Sequence, residues 1–70
     1  MTIEEMKLLK VGDLVEDLEL PKNINYLGRI ICKVDSINEN GITISSIQKG
    51  FENSYPNRFN INEHNKLKFI

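Results

Sequence analysis

The stretch that decides the fold is residues 30–46, IICKVDSINENGITISS. Apolar and polar residues alternate on both sides of Asn40-Gly41, and alternation with a period of two is typical of a half-buried β-strand. An Asn-Gly pair supplies the positive φ angles of a tight turn, so we predict a hairpin between strands at 26–37 and 42–47. The inward-facing residues of this hairpin are then Ile30, Cys32, Val34, Ile42 and Ile44.

Three further strands are predicted outward from the hairpin, at residues 14–20, 51–55 and 67–70. Residues 51–55 alternate only weakly between apolar and polar, so they are expected to form a short edge strand. We expect residues 56–59 to form a one-turn 3₁₀ connector and residues 60–66 a polar loop. Gly28, inside the long strand, is expected to mark the bend that lets the sheet curl.

The amino-terminal residues Thr2 and Glu5 have the spacing of a capping box. This spacing favours one or two helical turns, although an extended lead-in is an alternative. In either form, Ile3, Met6 and Leu9 are expected to cover one end of the core. Together these segments predict a single all-β domain over residues 1–70, a small five-stranded antiparallel barrel with a short N-terminal helical turn.

Composition predicts a soluble cytoplasmic protein. The chain has 70 residues and a formal net charge of −1, but the first 21 residues have two lysines against six carboxylates, whereas residues 22–70 have seven basic groups against four. The single cysteine, Cys32, cannot form an internal disulfide, which is typical of a reducing compartment. No apolar run is long enough to span a membrane, and the first residues lack the basic-then-apolar order of a signal peptide, so we expect neither a membrane span nor export.

Three segments carry a resemblance to a group of known proteins. They are Leu9–Val15 (LKVGDLV), Cys32–Ile42 (CKVDSINENGI) and Tyr55–Phe59 (YPNRF). The chain is similar to uncharacterised small SH3-like or KOW-like barrel proteins of Bacteroidota and their phages, over most of residues 9–59. The resemblance implies an SH3-like barrel from a mobile element, and the chain departs from the group at its carboxyl end, where Asn60–His64 replaces a proline-rich step and a terminal helix.

Residues for catalysis or metal binding are scarce. The one histidine, His64, falls in a predicted exposed loop, and Cys32 falls on the inward face of a strand. A Cys–His pair for nucleophilic catalysis is therefore not expected, and one histidine with one cysteine is too few for a zinc site. We expect no enzyme activity, no cofactor and no metal.

A binding surface is the function that the sequence favours. Tyrosine and arginine dominate protein interfaces, because each buries a large area and still offers hydrogen bonds. We predict a non-catalytic module that binds another protein or a second copy of itself, in the setting of a phage or prophage protein that inhibits a host factor. The predicted binding residues are Tyr26, Arg29, Ile31, Tyr55 and Arg58.

Two alternatives remain open. Basic residues beside tyrosines are also the composition of a KOW-like RNA- or DNA-binding module, although a net charge of −1 disfavours strong nonspecific binding. An oligomer that sequesters a small nucleotide between its subunits is the other alternative. We expect no membrane partner.

Overall fold

Five β-strands form one curled antiparallel sheet in the computed structural model, which describes all 70 residues. The strands follow the order β4-β3-β2-β1-β5, so consecutive strands are neighbours except that β5 returns to pair with β1. Strands β4 and β5 lie at the two ends of this order, which makes the sheet a half-barrel. The predicted mainly β, five-stranded architecture is confirmed. The strands are β1 (Leu14–Asp17), β2 (Ile30–Asn38), β3 (Gly41–Ser46), β4 (Asn57–Asn60) and β5 (Leu67–Phe69).

The core occupies the concave face of this sheet. Alternation along each strand sends every second side chain inward, as the sequence predicts. Met6 and Leu9 from the amino-terminal segment cover one end of the core, whereas Ile3 remains exposed. The ten buried apolar residues are Met6, Leu9, Val15, Ile30, Cys32, Val34, Ile42, Ile44, Phe59 and Leu67.

The central hairpin forms where it was predicted, but by a different turn. Neither Asn40 nor Gly41 has a positive φ. The backbone N–H of Asn40 instead donates to the side-chain oxygen of Asn38 at 2.8 Å, which closes an Asx turn. Glycine is required at position 41 for space, because a Cβ there would lie 2.1 Å from the carbonyl oxygen of Phe59 on the adjacent strand.

The predictions for residues 51–66 were wrong in their order of elements. The predicted edge strand at 51–55 holds a 3₁₀ turn, Glu52–Ser54, and the fourth strand lies at 57–60, where a 3₁₀ connector was expected. Phe59 decides this register, because only a strand at 57–60 pairs it with Ile42 and buries it. The predicted polar loop at 60–66 is a 3₁₀ segment, Ile61–Lys66.

Two short α-helices accompany the sheet. Helix α1 (Ile3–Leu8) begins with the predicted capping box between Thr2 and Glu5, which is confirmed in both directions. Helix α2 (Leu20–Asn23) replaces the end of the predicted first strand, which stops at Asp17.

The bend of the long strand does not come from Gly28. That residue precedes β2, and its missing Cβ leaves room for the ring of Tyr26, which lies 2.7 Å from where a Cβ would be. An irregularity between Val34 and Ser36, where β2 gains one residue over β3, lies inside the strand instead. A bulge of this kind increases the local twist, which favours curling of the sheet.

Candidate interaction surface

A buried carboxylate at the end of β1 organises one end of the half-barrel. Asp17 is 1% exposed, and its Oδ1 accepts hydrogen bonds from the backbone N–H groups of Glu19 and Leu20 at 2.9 and 3.1 Å. Its Oδ2 accepts a hydrogen bond from the Tyr55 hydroxyl at 2.6 Å. These bonds fix the turn into α2 and hold the loop before β4 against the core, so Asp17 joins two connections that are distant in sequence.

The Cys32 thiol lies close to this carboxylate. Burial raises the pKa of Cys32 to about 11, an effect that the Tyr55 hydroxyl opposes and the charges of Asp17 and Asp35 reinforce. Burial also raises the pKa of the Tyr55 hydroxyl, and its hydrogen bond to Asp17 adds to that shift. The thiol is fully buried and protonated at neutral pH, which is the state of an unreactive core cysteine.

The lone histidine has a backbone partner. His64 Nδ1 lies 2.8 Å from the carbonyl oxygen of Met1, in the 3₁₀ segment before β5. No three His, Cys, Asp or Glu side chains are arranged to hold a metal ion.

An exposed apolar loop connects α2 to β2. Leu27 at its tip is fully exposed, and Ile24 and Tyr26 are 47% and 41% exposed. The loop has a defined shape, because Asn25 has a φ of 55° and the Tyr26 ring contacts Phe51 edge-on, with centroids 5.3 Å apart. Ile24, Tyr26 and Leu27 together are called the loop patch below.

Arg29 and Ile31 continue this surface onto the convex side of the sheet. Ile31 pairs with Glu16, so the two side chains share the face opposite the core. Arg29 donates from Nε and Nη2 to Oε1 of Glu16, at 3.0 and 2.9 Å. This ion pair covers Glu16, whose side chain is 12% exposed, while the Arg29 side chain stays 64% exposed.

The predicted binding residues fall in two places. Tyr26, Arg29 and Ile31 lie together where the loop patch meets β2, but Arg58 is on β4, opposite Thr43. Thr43 in turn pairs with Ser36, which is five residues from Ile31 on β2. Measured along the sheet, the path from Ile31 to Arg58 is roughly 20 Å, because it runs five residues along β2 and two strands across. Tyr55 directs its hydroxyl to Asp17.

Tyr55 lines a cavity of about 320 Å³. This cavity is open to solvent and lies between the end of β3 and the loop that follows. Phe51 also lines this cavity, and its ring is contacted edge-on by the Tyr26 ring of the loop patch. The lining residues are Ser45, Ser46, Ile47, Gln48, Lys49, Phe51, Glu52, Tyr55 and Pro56.

Sequence reasoning missed Asp17 and Leu27. Asp17 follows Val15 by two positions and therefore falls on the inward face of β1, and it is followed by Leu20-Pro21, where a proline in the first turn favours the start of a helix. That combination could have identified a buried, hydrogen-bonded carboxylate. The exposure of Leu27 had no comparable pattern, because residues 26–37 were expected to form one continuous strand.

Comparison with protein-family models, curated proteins and solved structures finds no significant match. The resemblance to small barrel proteins of Bacteroidota and their phages thus stays a prediction. None of the helices combines the length and apolarity needed to cross a bilayer.

Proposed function

We propose that this protein is a non-catalytic interaction module that binds another protein through the loop patch and the adjoining residues Arg29 and Ile31. The observation that carries the proposal is the full exposure of Leu27 beside the half-exposed Ile24 and Tyr26. Three large apolar side chains in contact with water, next to one another on a defined loop, are typical of an interaction site.

The residue types support the same function. Tyr26 has an apolar ring that contacts Phe51 edge-on, and its hydroxyl makes no hydrogen bond within the protein, so this hydroxyl is free to bond to a partner protein. Arg29 uses Nε and Nη2 for Glu16 and keeps its other donor nitrogen free. A pre-formed loop also reduces the conformational entropy lost on binding.

We propose further that the half-barrel is an SH3-like barrel. Support comes from the strand order, in which four strands follow one another as a meander and the last returns to the first, after a 3₁₀ segment. A cytoplasmic location and the role of a phage or prophage protein that covers a host factor belong to the same proposal. They are supported by the single free cysteine and by the sequence resemblance.

The test is a pull-down from bacterial host lysate with two matched leucine variants. Leu27→Ser changes the loop patch, and Leu8→Ser removes another exposed leucine, 70% exposed on α1. We expect the wild-type chain and Leu8→Ser to capture the same stoichiometric protein, with or without nuclease, and Leu27→Ser to lose it. Equal capture by both variants, or capture that nuclease abolishes, would contradict the proposal.

A further inference from the structure

The strand register shows which side chains lie together on the convex face of the sheet. Because paired residues share a face, the register places Lys68, Glu16 and Ile31 in one row across β5, β1 and β2. The Ile47 N–H donates to the Ile31 carbonyl at 3.1 Å, which extends this row beyond the end of β3. The next row contains Leu14, Lys33 and Ser45.

The accessible charge on this face is positive. Lys33 and Lys68 are exposed and form no ion pair, and Arg29 projects next to them with its side chain 64% exposed. Two carboxylates lie on the same face: Glu16 is paired with Arg29 and largely covered by it, and Asp35 accepts a hydrogen bond from Ser45 and keeps its negative charge. Arg29, Lys33 and Lys68 against these two carboxylates give the face a net charge of +1, and its most exposed charged groups are the cations, in a chain with a net charge of −1.

Aliphatic side chains lie between these cations. Leu14 and Ile47 are 42% and 54% exposed, and Ile31 between them is partly exposed. The two rows carry no aromatic side chain on which a nucleobase could stack, as it does in single-strand-binding proteins. Aliphatic centres with a cationic rim are better matched to a protein whose aliphatic residues alternate with carboxylates.

We propose that the convex face, defined as Leu14, Arg29, Ile31, Lys33, Ile47 and Lys68, docks an acidic segment of a partner protein that carries aliphatic anchor residues. This inference rests on the proposed function, because Arg29 and Ile31 belong to both surfaces, and it assigns the chemistry of the partner. The anchors would contact Leu14, Ile31 and Ile47, and the carboxylates would pair with Lys33 and Lys68.

The experiment is a titration of ¹⁵N-labelled protein followed by amide chemical shifts. The probes are a 12-residue peptide of alternating Glu and Leu, a matched peptide of alternating Lys and Leu, and a 12-nucleotide oligothymidylate. We expect only the Glu-Leu peptide to shift the amides of the convex face in a saturable way. No shift with this peptide, or the same shifts with the Lys-Leu peptide, would overturn the inference, and convex-face shifts with oligothymidylate alone would assign the surface to nucleic acid instead.

Charge-reversal variants test whether peptide binding depends on the cations of the convex face or only on the net charge of the protein. Lys33→Glu with Lys68→Glu is expected to weaken binding of the Glu-Leu peptide about tenfold, since two exposed ion pairs are replaced by repulsion. Lys7→Glu with Lys22→Glu makes the same change in net charge on the exposed surfaces of α1 and α2 and is expected to leave binding within about twofold. Equal weakening by both pairs would refute a specific surface.

The pull-down distinguishes the two proposals. If Leu27→Ser abolishes capture but the Glu-Leu peptide does not bind, the protein is an interaction module and the acidic character of its partner is wrong. If the peptide binds but Leu27→Ser captures normally, the convex face is the docking surface and the loop patch is not.

Discussion

Replacement of Tyr55 by phenylalanine should lower the free energy of unfolding more than any comparable loss of a hydroxyl in this chain. The variant removes the donor that lies 2.6 Å from Oδ2 of Asp17, a carboxylate that is 1% exposed. A buried acceptor left without its partner costs about 1–3 kcal/mol.

That loss is large for a chain of 70 residues. At roughly 0.05–0.15 kcal/mol per residue, the whole domain is stable by about 4–10 kcal/mol. Each kcal/mol corresponds to about 4–8 °C in the melting temperature of a domain of this size. Tyr55→Phe is therefore expected to melt about 4 to 24 °C below the wild type.

The assay is urea unfolding followed by far-ultraviolet circular dichroism, because the substitution itself alters tyrosine fluorescence. Tyr26→Phe is the matched control, since its hydroxyl makes no hydrogen bond within the protein, and its free energy of unfolding should change by less than about 0.5 kcal/mol. The slope of the free energy of unfolding against urea concentration should be the same for both variants. If Tyr55→Phe is as stable as Tyr26→Phe, the buried hydrogen bond to Asp17 contributes nothing to the free energy of unfolding, and the prediction is refuted.

Two further predictions concern the core. Burial raises the pKa of Cys32 from 9.0 to about 11, so this thiol contributes stability that is present below pH 9 and lost as the pH rises from 9 to 11. The pKa of Tyr55 is also raised, chiefly by burial, and the stability that its hydroxyl contributes begins to be lost only above pH 10. Circular dichroism should show this loss of stability as the pH rises. If the stability of a Cys32→Ala variant declines equally steeply, the thiol does not cause the loss. Gly41→Ala should destabilise the protein by at least about 1–3 kcal/mol in urea unfolding, because its Cβ would meet the Phe59 carbonyl at 2.1 Å. Gly12→Ala is the control, because a Cβ there meets open space and only the φ of +95° is unfavourable, so this variant measures the cost of backbone strain alone. If both variants lose the same free energy of unfolding, the close approach of Gly41 to Phe59 is unimportant.

The hairpin shows which features the local sequence pattern can predict. Alternation of apolar residues around positions 38–41 was sufficient to predict both strands and the inward face with Cys32, since burial of one face determines register. The geometry of the turn was not predictable in the same way. Gly41 allows the close approach of β4, and β4 pairs with β3 across separations of 13 to 19 positions in the sequence.

Residues 51–60 show where local pattern fails. Both Phe51 and Phe59 were compatible with a strand, and nothing local decided which of them enters the core. The pairing of Phe59 with Ile42 decided it, because burial of that ring fills the concave face, whereas Phe51 is left to support Tyr26 at the surface.

By itself, the sequence determined the β-rich fold, the capped first helix and the inward position of Cys32, because each depends on neighbours within a few residues. Only the tertiary structure decided that Asp17 meets Tyr55, that Arg58 lies far from Ile31, and that the convex face is cationic within a chain of net charge −1. These properties depend on which strands become neighbours and which carboxylates are covered, and such contacts join residues that the chain order keeps apart.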